Sequence, residues 1–340
     1  MTQPEPCLFA PGGDPAFARA VCRHLGTTPG EHDEKAFSDG EFRSRLVTCV
    51  QGREVFVIPS LHGDARQSTD EQLLRLLFFI ATAVDAGAAR VSAVVPYLCY
   101  ARQDRRTAPG DPVATRHVAR LLEAAGTSRI AVVDIHNPGA FENAFRIPAM
   151  NIMPGALLAD FFAGFSAVTP GDAARGIEEG GLAGALRGRP LVVVAPDSGA
   201  IPRAAHFREL LSHRLGADID SAFIEKHRSD SGLGGTGASG HFAGRTALII
   251  DDMICTGATT LRAARICRER GAERVIAAAT HAVLSGNAAS LLCDPMIDAV
   301  VVSNTIPVPE TARQTLGSRL HVLDASRLCA DAISALRGTC

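Results

Sequence analysis

"LIIDDMICTGATT", residues 248–260, carries three chemical roles in one short stretch. An apolar run, Leu248 to Ile250, closes on two adjacent carboxylates, Asp251 and Asp252. A short loop, Cys255-Thr256-Gly257, follows. Then comes an amphipathic stretch, "TTLRAARICRERG" (259–271), that stops at Gly271. The reading is strand, turn, helix, and it decides the fold class because the same unit recurs along the chain. Val/Ile-rich runs that do not alternate with polar residues stand at 54–60, 90–98, 129–136, 190–197, 246–252, 274–283 and 298–305. Such runs suit parallel strands buried on both faces. Helical patterns lie between them. The stretch 69–87 opens with a Thr69/Gln72 capping box and ends at Gly87; 111–126 has Asp111 as N-cap, Pro112 in its first turn and Gly126 as its stop. The alternation predicts an α/β fold of two similar domains, each a mainly parallel sheet flanked by helices.

The chain has 340 residues, more than one core usually serves. The break is expected within "FRIPAMNIMPG", giving domains 1–150 and 151–340. A formal net charge of −2 makes no case for nucleic acid or an anionic membrane as partner. No apolar run reaches the roughly 18 residues that would span a bilayer. The first residues, "MTQPEPCLFAPGGDP", lack a basic head and an apolar signal core, so a cytoplasmic protein is expected. The nine cysteines form no C-x-x-C pair and fit free thiols in a reducing compartment.

Parallel sheets bind ligands at the carboxyl ends of their strands. The strand at 90–98 runs into Arg102, Gln103 and Asp104. The next ends in Asp134 and His136, the next in Asp197, and the next in Asp251 and Asp252. Any one strand-end Asp is more often a helix N-cap; several together point to a site. The loop at 255–258 precedes a helix, so its free N–H groups and the helix dipole form an anion cradle, with Thr256, Thr259 and Thr260 as added donors. Two carboxylates beside a phosphate cradle suit a phosphorylated sugar whose hydroxyls they accept. Only two of the 34 basic residues are lysines, Lys35 and Lys226, so a lysine here marks a position where a compact ammonium differs from a guanidinium.

"LIIDDMICTGATT" resembles the phosphoribosyl pyrophosphate-binding motif of the type I phosphoribosyltransferases. "FSDGE" (37–41), "VVPYLCYARQDRR" (94–106), "DIH" (134–136), "PDSGAIPRA" (196–204), "EKHR" (225–228), "THAVLSG" (280–286) and "SNTIP" (303–307) occur in the order seen in the ribose-phosphate diphosphokinase family. The resemblance implies transfer of the β,γ-diphosphoryl group of ATP to the C1 hydroxyl of ribose 5-phosphate, giving phosphoribosyl pyrophosphate and AMP. It implies that Phe37, Asp39 and Glu41 reach the ATP base from a neighbouring subunit, and that Arg102, Gln103 and Asp104 lie along the ATP. It places Lys226 and Arg228 on the transferring phosphates and His136 and Asp197 on Mg2+. It gives Asp251, Asp252, Cys255, Thr256, Gly257, Ala258 and Thr259 to ribose 5-phosphate. A homo-oligomer follows, at least a dimer, hexamers being usual. The chain departs from the pattern at Cys255 (usually aspartate), at Ala258 and Ala200 (usually glycine), and at Asn137-Pro138-Gly139. Two other readings stay open: a phosphoribosyltransferase, which "CTGAT" favours, and a non-catalytic homologue of the synthetase, which the altered loops favour.

Overall fold

The computed structural model describes residues 5–64, 67–164, 182, 186, 188–224 and 237–338. The chain divides into two units: Met1–Met153 with Ser326–Cys340, and Pro154–Ala325.

In the first unit the strands are β1 (Cys7–Phe9), β2 (His32–Ala36), β3 (Phe42–Leu46), β4 (Glu54–Val57), β5 (Arg90–Val95), β6 (Arg129–Val133) and β7 (Ala149–Ile152). The helices are α1 (Pro15–Leu25), α2 (Thr69–Asp85), α3 (Ala114–Ala124) and α4 (Pro138–Ala144). The sheet has the order β1-β4-β5-β6-β7 and all its pairs are parallel. Strands β2 and β3 form a separate antiparallel hairpin with Lys35 opposite Arg43 and Ala36 opposite Phe42.

The second unit contains α5 (Gly155–Ala163), β8 (Leu191–Ala195), α6 (Ile201–Leu215), β9 (Asp220–Ile224), β10 (Ala238–Ser239) and β11 (Thr246–Ile254). After these come α7 (Ala258–Glu269), β12 (Arg274–Ala282), α8 (Ala288–Leu292), β13 (Ala299–Ser303), α9 (Glu310–Leu316) and β14 (Leu320–Leu323). Its sheet runs β10-β9-β8-β11-β12-β13-β14, antiparallel only at β10. The lack of alternation in the sequence has its reason here. Val192, Val194 and Ile249 pack into one apolar cluster, whereas Val193, Leu248 and Ile250 pack into another. Successive side chains leave a strand on opposite faces, and both faces are covered.

Three local expectations are corrected. The capping box of α2 is Ser68 with Glu71, not Thr69 with Gln72: Glu71 N–H donates to Ser68 Oγ at 3.2 Å and Ser68 N–H to Glu71 Oε2 at 2.5 Å. Asp111 does not cap α3. Its Oδ2 accepts from the Thr107 hydroxyl (2.6 Å) and the Thr107 and Ala108 N–H groups, folding its own loop. Residues 326–338, read from the sequence as part of a second domain running to 340, form the helix α10 (Ser326–Gly338), which joins the first unit. It buries Cys329, Ala330, Ala332, Ile333 and Leu336, and the Arg129 guanidinium donates to the Leu336 carbonyl. Burying Ile333 and Leu336 alone is worth roughly 3–6 kcal/mol, and contiguity along the chain does not say which core collects it. Among the described residues no helix is long and apolar enough to cross a membrane.

Candidate active site

The second unit builds its half-site at a reversal of strand order. The chain goes from β8 to β9 on one side and to β11 on the other. A crevice opens at the carboxyl ends of two strands wherever their connections diverge like this. Asp197 follows β8, Asp251 and Asp252 occupy the last half of β11, and the 255–257 loop leaves β11 directly. Asp197 uses Oδ1 as a cap, accepting from Gly199 N–H (2.9 Å) and Ala200 N–H (3.2 Å) at the turn into α6. Ala200 has φ −83°, ordinary right-handed backbone, so a side chain is tolerated where the family has glycine.

The paired aspartates are not equivalent. Strand alternation puts Asp251 in phase with Ile249 and Asp252 in phase with Ile250, and Asp252 is 3% exposed. Burial pushes the Asp251 carboxyl up to about 8, the neighbouring Asp252 charge adds to this, and the Asp197 charge adds further. The Asp252 N–H, donating to Asp251 Oδ1 at 2.9 Å, works against the rise. Ligand hydroxyls can donate to a carboxylate pair of this kind, which suits a vicinal diol.

Gly257 takes φ +79°, a left-handed conformation that lets β11 turn into α7. A Cβ there would meet Ala288 O, Leu292 Cγ and Leu291 Cβ at 3.4–3.6 Å, so the backbone angle and not the space demands glycine. No side chain caps α7 at Gly257. Thr256 Oγ1 lies 3.5 Å from Ala258 N, too long to matter, and no acidic residue stands in the first turn. The first N–H groups of α7 are therefore offered to an anion, with Thr256 and Thr259 exposed beside them. Ala258 is the first helical residue, a place where alanine costs nothing.

The first unit has no such reversal; its residues gather at the carboxyl ends of β5 and β6. Buried Thr115 pins the turn after β5, donating from Oγ1 to Tyr100 O (3.1 Å) and Gln103 O (3.3 Å). Arg102 and Gln103 stand exposed on that turn. Asp104 is held from β6: Asn137 Nδ2 donates to Asp104 Oδ2 at 2.5 Å. Asn137 also caps α4, its Oδ1 accepting from Ala140 N–H at 3.1 Å, with Pro138 next. Asp134 is buried with φ +45°, an angle that aspartate tolerates better than most residues, and exposed His136 follows two residues later. Asn137 was visible in the sequence only as a departure from the family pattern, yet it ties Asp104 to the His136 turn.

The β2–β3 hairpin presents Phe37, Asp39 and Glu41 at its tip. Phe37 N–H donates to Glu41 O (2.8 Å), Glu41 N–H to Asp39 Oδ1 (3.1 Å), and Gly40 takes φ +92°. Phe37 is 41% exposed, with the Lys35 ammonium 5.2 Å from its ring centre. At the base, burial alone would raise the Glu34 carboxyl. Bonds from Gly12 N–H, Ser44 Oγ and Arg75 outweigh this and hold it below its usual range. The hairpin is thus anchored at its root and open at its tip. Lys226 and Arg228 lie outside the described residues.

Comparison with known proteins gives concordant matches. A family model of the N-terminal domain of ribose phosphate pyrophosphokinase matches residues 7–126, and one of the phosphoribosyl synthetase-associated domain matches residues 235–338. The chain is 33% identical over 327 residues to a ribose-phosphate pyrophosphokinase of Caldanaerobacter subterraneus subsp. tengcongensis, covering 96% of this chain and 93% of the relative. It is 35% identical over 309 residues to one of Chromobacterium violaceum, covering 90% and 84%. The crystal structure of phosphoribosylpyrophosphate synthetase from Mycobacterium smegmatis superposes with a TM-score of 0.82 at 31% identity, covering 99% of this chain and 100% of that one.

Proposed function

The chain belongs to the ribose-phosphate pyrophosphokinase family, and from that premise we propose how its own residues divide the synthesis of phosphoribosyl pyrophosphate and AMP from ribose 5-phosphate and ATP. The observation that carries the proposal is the uncapped start of α7 behind Gly257, beside a pair of adjacent carboxylates at the end of the strand that leads into it. The 5-phosphate rests on the N–H groups of Gly257 to Thr259 and on the hydroxyls of Thr256 and Thr259. Asp251 and Asp252 take the ribose hydroxyls and so orient the sugar. Arg102, Gln103 and Asp104 lie along ATP. Phe37, Asp39 and Glu41 reach its base from a neighbouring copy, so the enzyme works as a homo-oligomer. The exposure of Phe37, Asp39 and Glu41 at the hairpin tip supports that reading. Lys226 and Arg228 neutralise the transferring phosphates, as phosphoryl transfer requires. Free thiols throughout the described residues suit a reducing cytoplasm.

Mg2+ fits the residues present. Asp197 and His136, each in its own unit, are the candidate ligands. Burial first, and then the charges of Asp252 and Asp197, raise the Asp251 carboxyl, and a divalent cation would offset the charge part of that rise. Among the described residues no three acidic, His or Cys side chains converge to cage an ion. Mg2+ does not need such a cage: one or two carboxylates and substrate phosphates suffice. Its role when bound is charge neutralisation on phosphate oxygens. The test is incubation with ATP, Mg2+ and ribose 5-phosphate. AMP and phosphoribosyl pyrophosphate should appear together; their absence from a folded, ATP-binding preparation would leave a non-catalytic homologue.

A further inference from the structure

The loop that precedes α7 is gripped from one side by a segment with no role in the scheme above. Beyond β12 the chain keeps bonding to β11: Leu284 N–H donates to Ile254 O at 2.9 Å, and Ser285 N–H to Cys255 O at 2.9 Å. The Ser285 hydroxyl then lies 3.3 Å from Cys255 Sγ. Cys255 is thus held by one residue at both its carbonyl and its side chain. It is the last residue before Thr256 and Gly257, so its position sets where the cradle begins. The same segment continues as a wall. Ala288 N–H donates to Ser285 O (3.2 Å), and Ala288, Leu291 and Leu292 are the atoms nearest to a Cβ placed on Gly257.

Two features show that this segment is held in place by its surroundings. Leu284 takes φ +44°, a left-handed angle that costs a leucine of order 1–2 kcal/mol, and it is 8% exposed in the apolar cluster. Strain of this kind persists only where neighbours impose it. Leu284 packs in the apolar cluster with Ile254, Ala288 and Leu292. A buried polar group separately ties the carboxyl ends of β12 and β13 together. His281 Nδ1 pairs with Thr305 Oγ1 at 2.9 Å, Ser303 Oγ donates to Thr280 O at 2.7 Å, and Ser303 and Thr305 hydroxyls lie 3.0 Å apart. These are the "THAVLSG" and "SNTIP" stretches.

We infer that Ser285 is a positioning residue for the 5-phosphate cradle, acting through Cys255. Where the family usually has an aspartate, this chain makes an uncharged thiol–hydroxyl contact to Ser285. The inference rests on the reading that the 255–259 loop receives the 5-phosphate of ribose 5-phosphate. Ser285→Ala removes the side-chain contact and leaves the backbone bond to Cys255 O in place.

The experiment measures KM for ribose 5-phosphate, KM for ATP, kcat and Tm in Ser285→Ala, Ser285→Thr, Cys255→Ala and the Ser285→Ala/Cys255→Ala pair, with Thr259→Ala as control. Ser285→Ala should raise KM for ribose 5-phosphate about three- to tenfold, the range of one modest hydrogen bond, with KM for ATP within about twofold. Ser285→Thr should restore it, and the double variant should be no worse than Cys255→Ala. Thr259→Ala raising that KM while Ser285→Ala leaves it unchanged overturns the inference and keeps the reading of the loop. Neither substitution moving it overturns both. A rise in both KM values together with a lower Tm assigns Ser285 a merely structural role and also overturns the inference.

Discussion

Asp251→Asn tests the electrostatics of the sugar half-site without any substrate. The Asp251 carboxyl is pushed up to about 8 by burial and by the Asp252 charge. The native state therefore holds a proton that the unfolded chain, with an ordinary carboxylate, gives up near pH 4. Stability from this source is present in full below about pH 4 and is lost as pH rises toward about 8, because over that window the native state binds more protons than the unfolded state. The ceiling is about 1.4 kcal/mol per pH unit. Asp251 is partly exposed, and counter-ions screen its partners, so a loss of about 1–2 kcal/mol between pH 5 and pH 8 is expected. Asparagine cannot ionise and escapes the loss. The measurement is Tm of both proteins at pH 5 and pH 8, free of Mg2+ and phosphate. A domain of this size moves by about 2–4 °C per kcal/mol, so the variant should gain roughly 2–8 °C on the parent between the two pH values. A difference that stays flat, or one that favours the parent at pH 8, refutes the argument: Asp251 would then be an ordinary, already compensated carboxylate.

Gly257→Ala forces a side chain onto φ +79° and should lower Tm by a few degrees while raising KM for ribose 5-phosphate about tenfold or more, with KM for ATP nearly unchanged; kinetics with each substrate varied in turn checks it. Asn137→Ala removes both the α4 cap and the bond to Asp104. It should cost about 1 kcal/mol in denaturant unfolding and raise KM for ATP several-fold, whereas an unchanged KM for ATP would reduce Asn137 to a cap. Lys226→Ala should lower kcat by about two orders of magnitude with a modest change in KM for ATP, and a near-normal kcat would remove the lysine from the transfer step.

Much of the candidate site was legible in the sequence because its parts are local. Asp251, Asp252, Thr256, Gly257 and Thr259 fall within one strand–turn–helix unit, and backbone geometry alone puts a carboxylate pair and a helix start next to each other. Asn137 was not legible as a partner of Asp104, since a hydrogen bond across 33 residues leaves no trace in spacing. Ser285 escaped for the same reason: its contact with Cys255 spans 30 residues and exists because β12 lies beside β11. The hairpin strands β2 and β3 were missed because "HDEKA" and "FRSRL" are half-exposed and charged, which hides them from a search for buried apolar runs.

By itself the sequence determined the class of fold and the chemistry. Runs of Val and Ile with period-free hydrophobicity suit sheets covered on both faces, and two carboxylates followed by a short loop and a helix suit a phosphorylated, hydroxyl-bearing ligand. Only the tertiary structure decided which strands are neighbours. The reversal between β8 and β11 brings Asp197 close enough for its charge to be felt by Asp251. It also decided that α10 packs with the first unit, though it follows the second in the chain. The physical reason is the same in each case. Hydrophobicity and backbone propensity act over a few residues and are written locally, whereas strand order, desolvation and charge–charge coupling depend on distances that exist only once the sheets have formed.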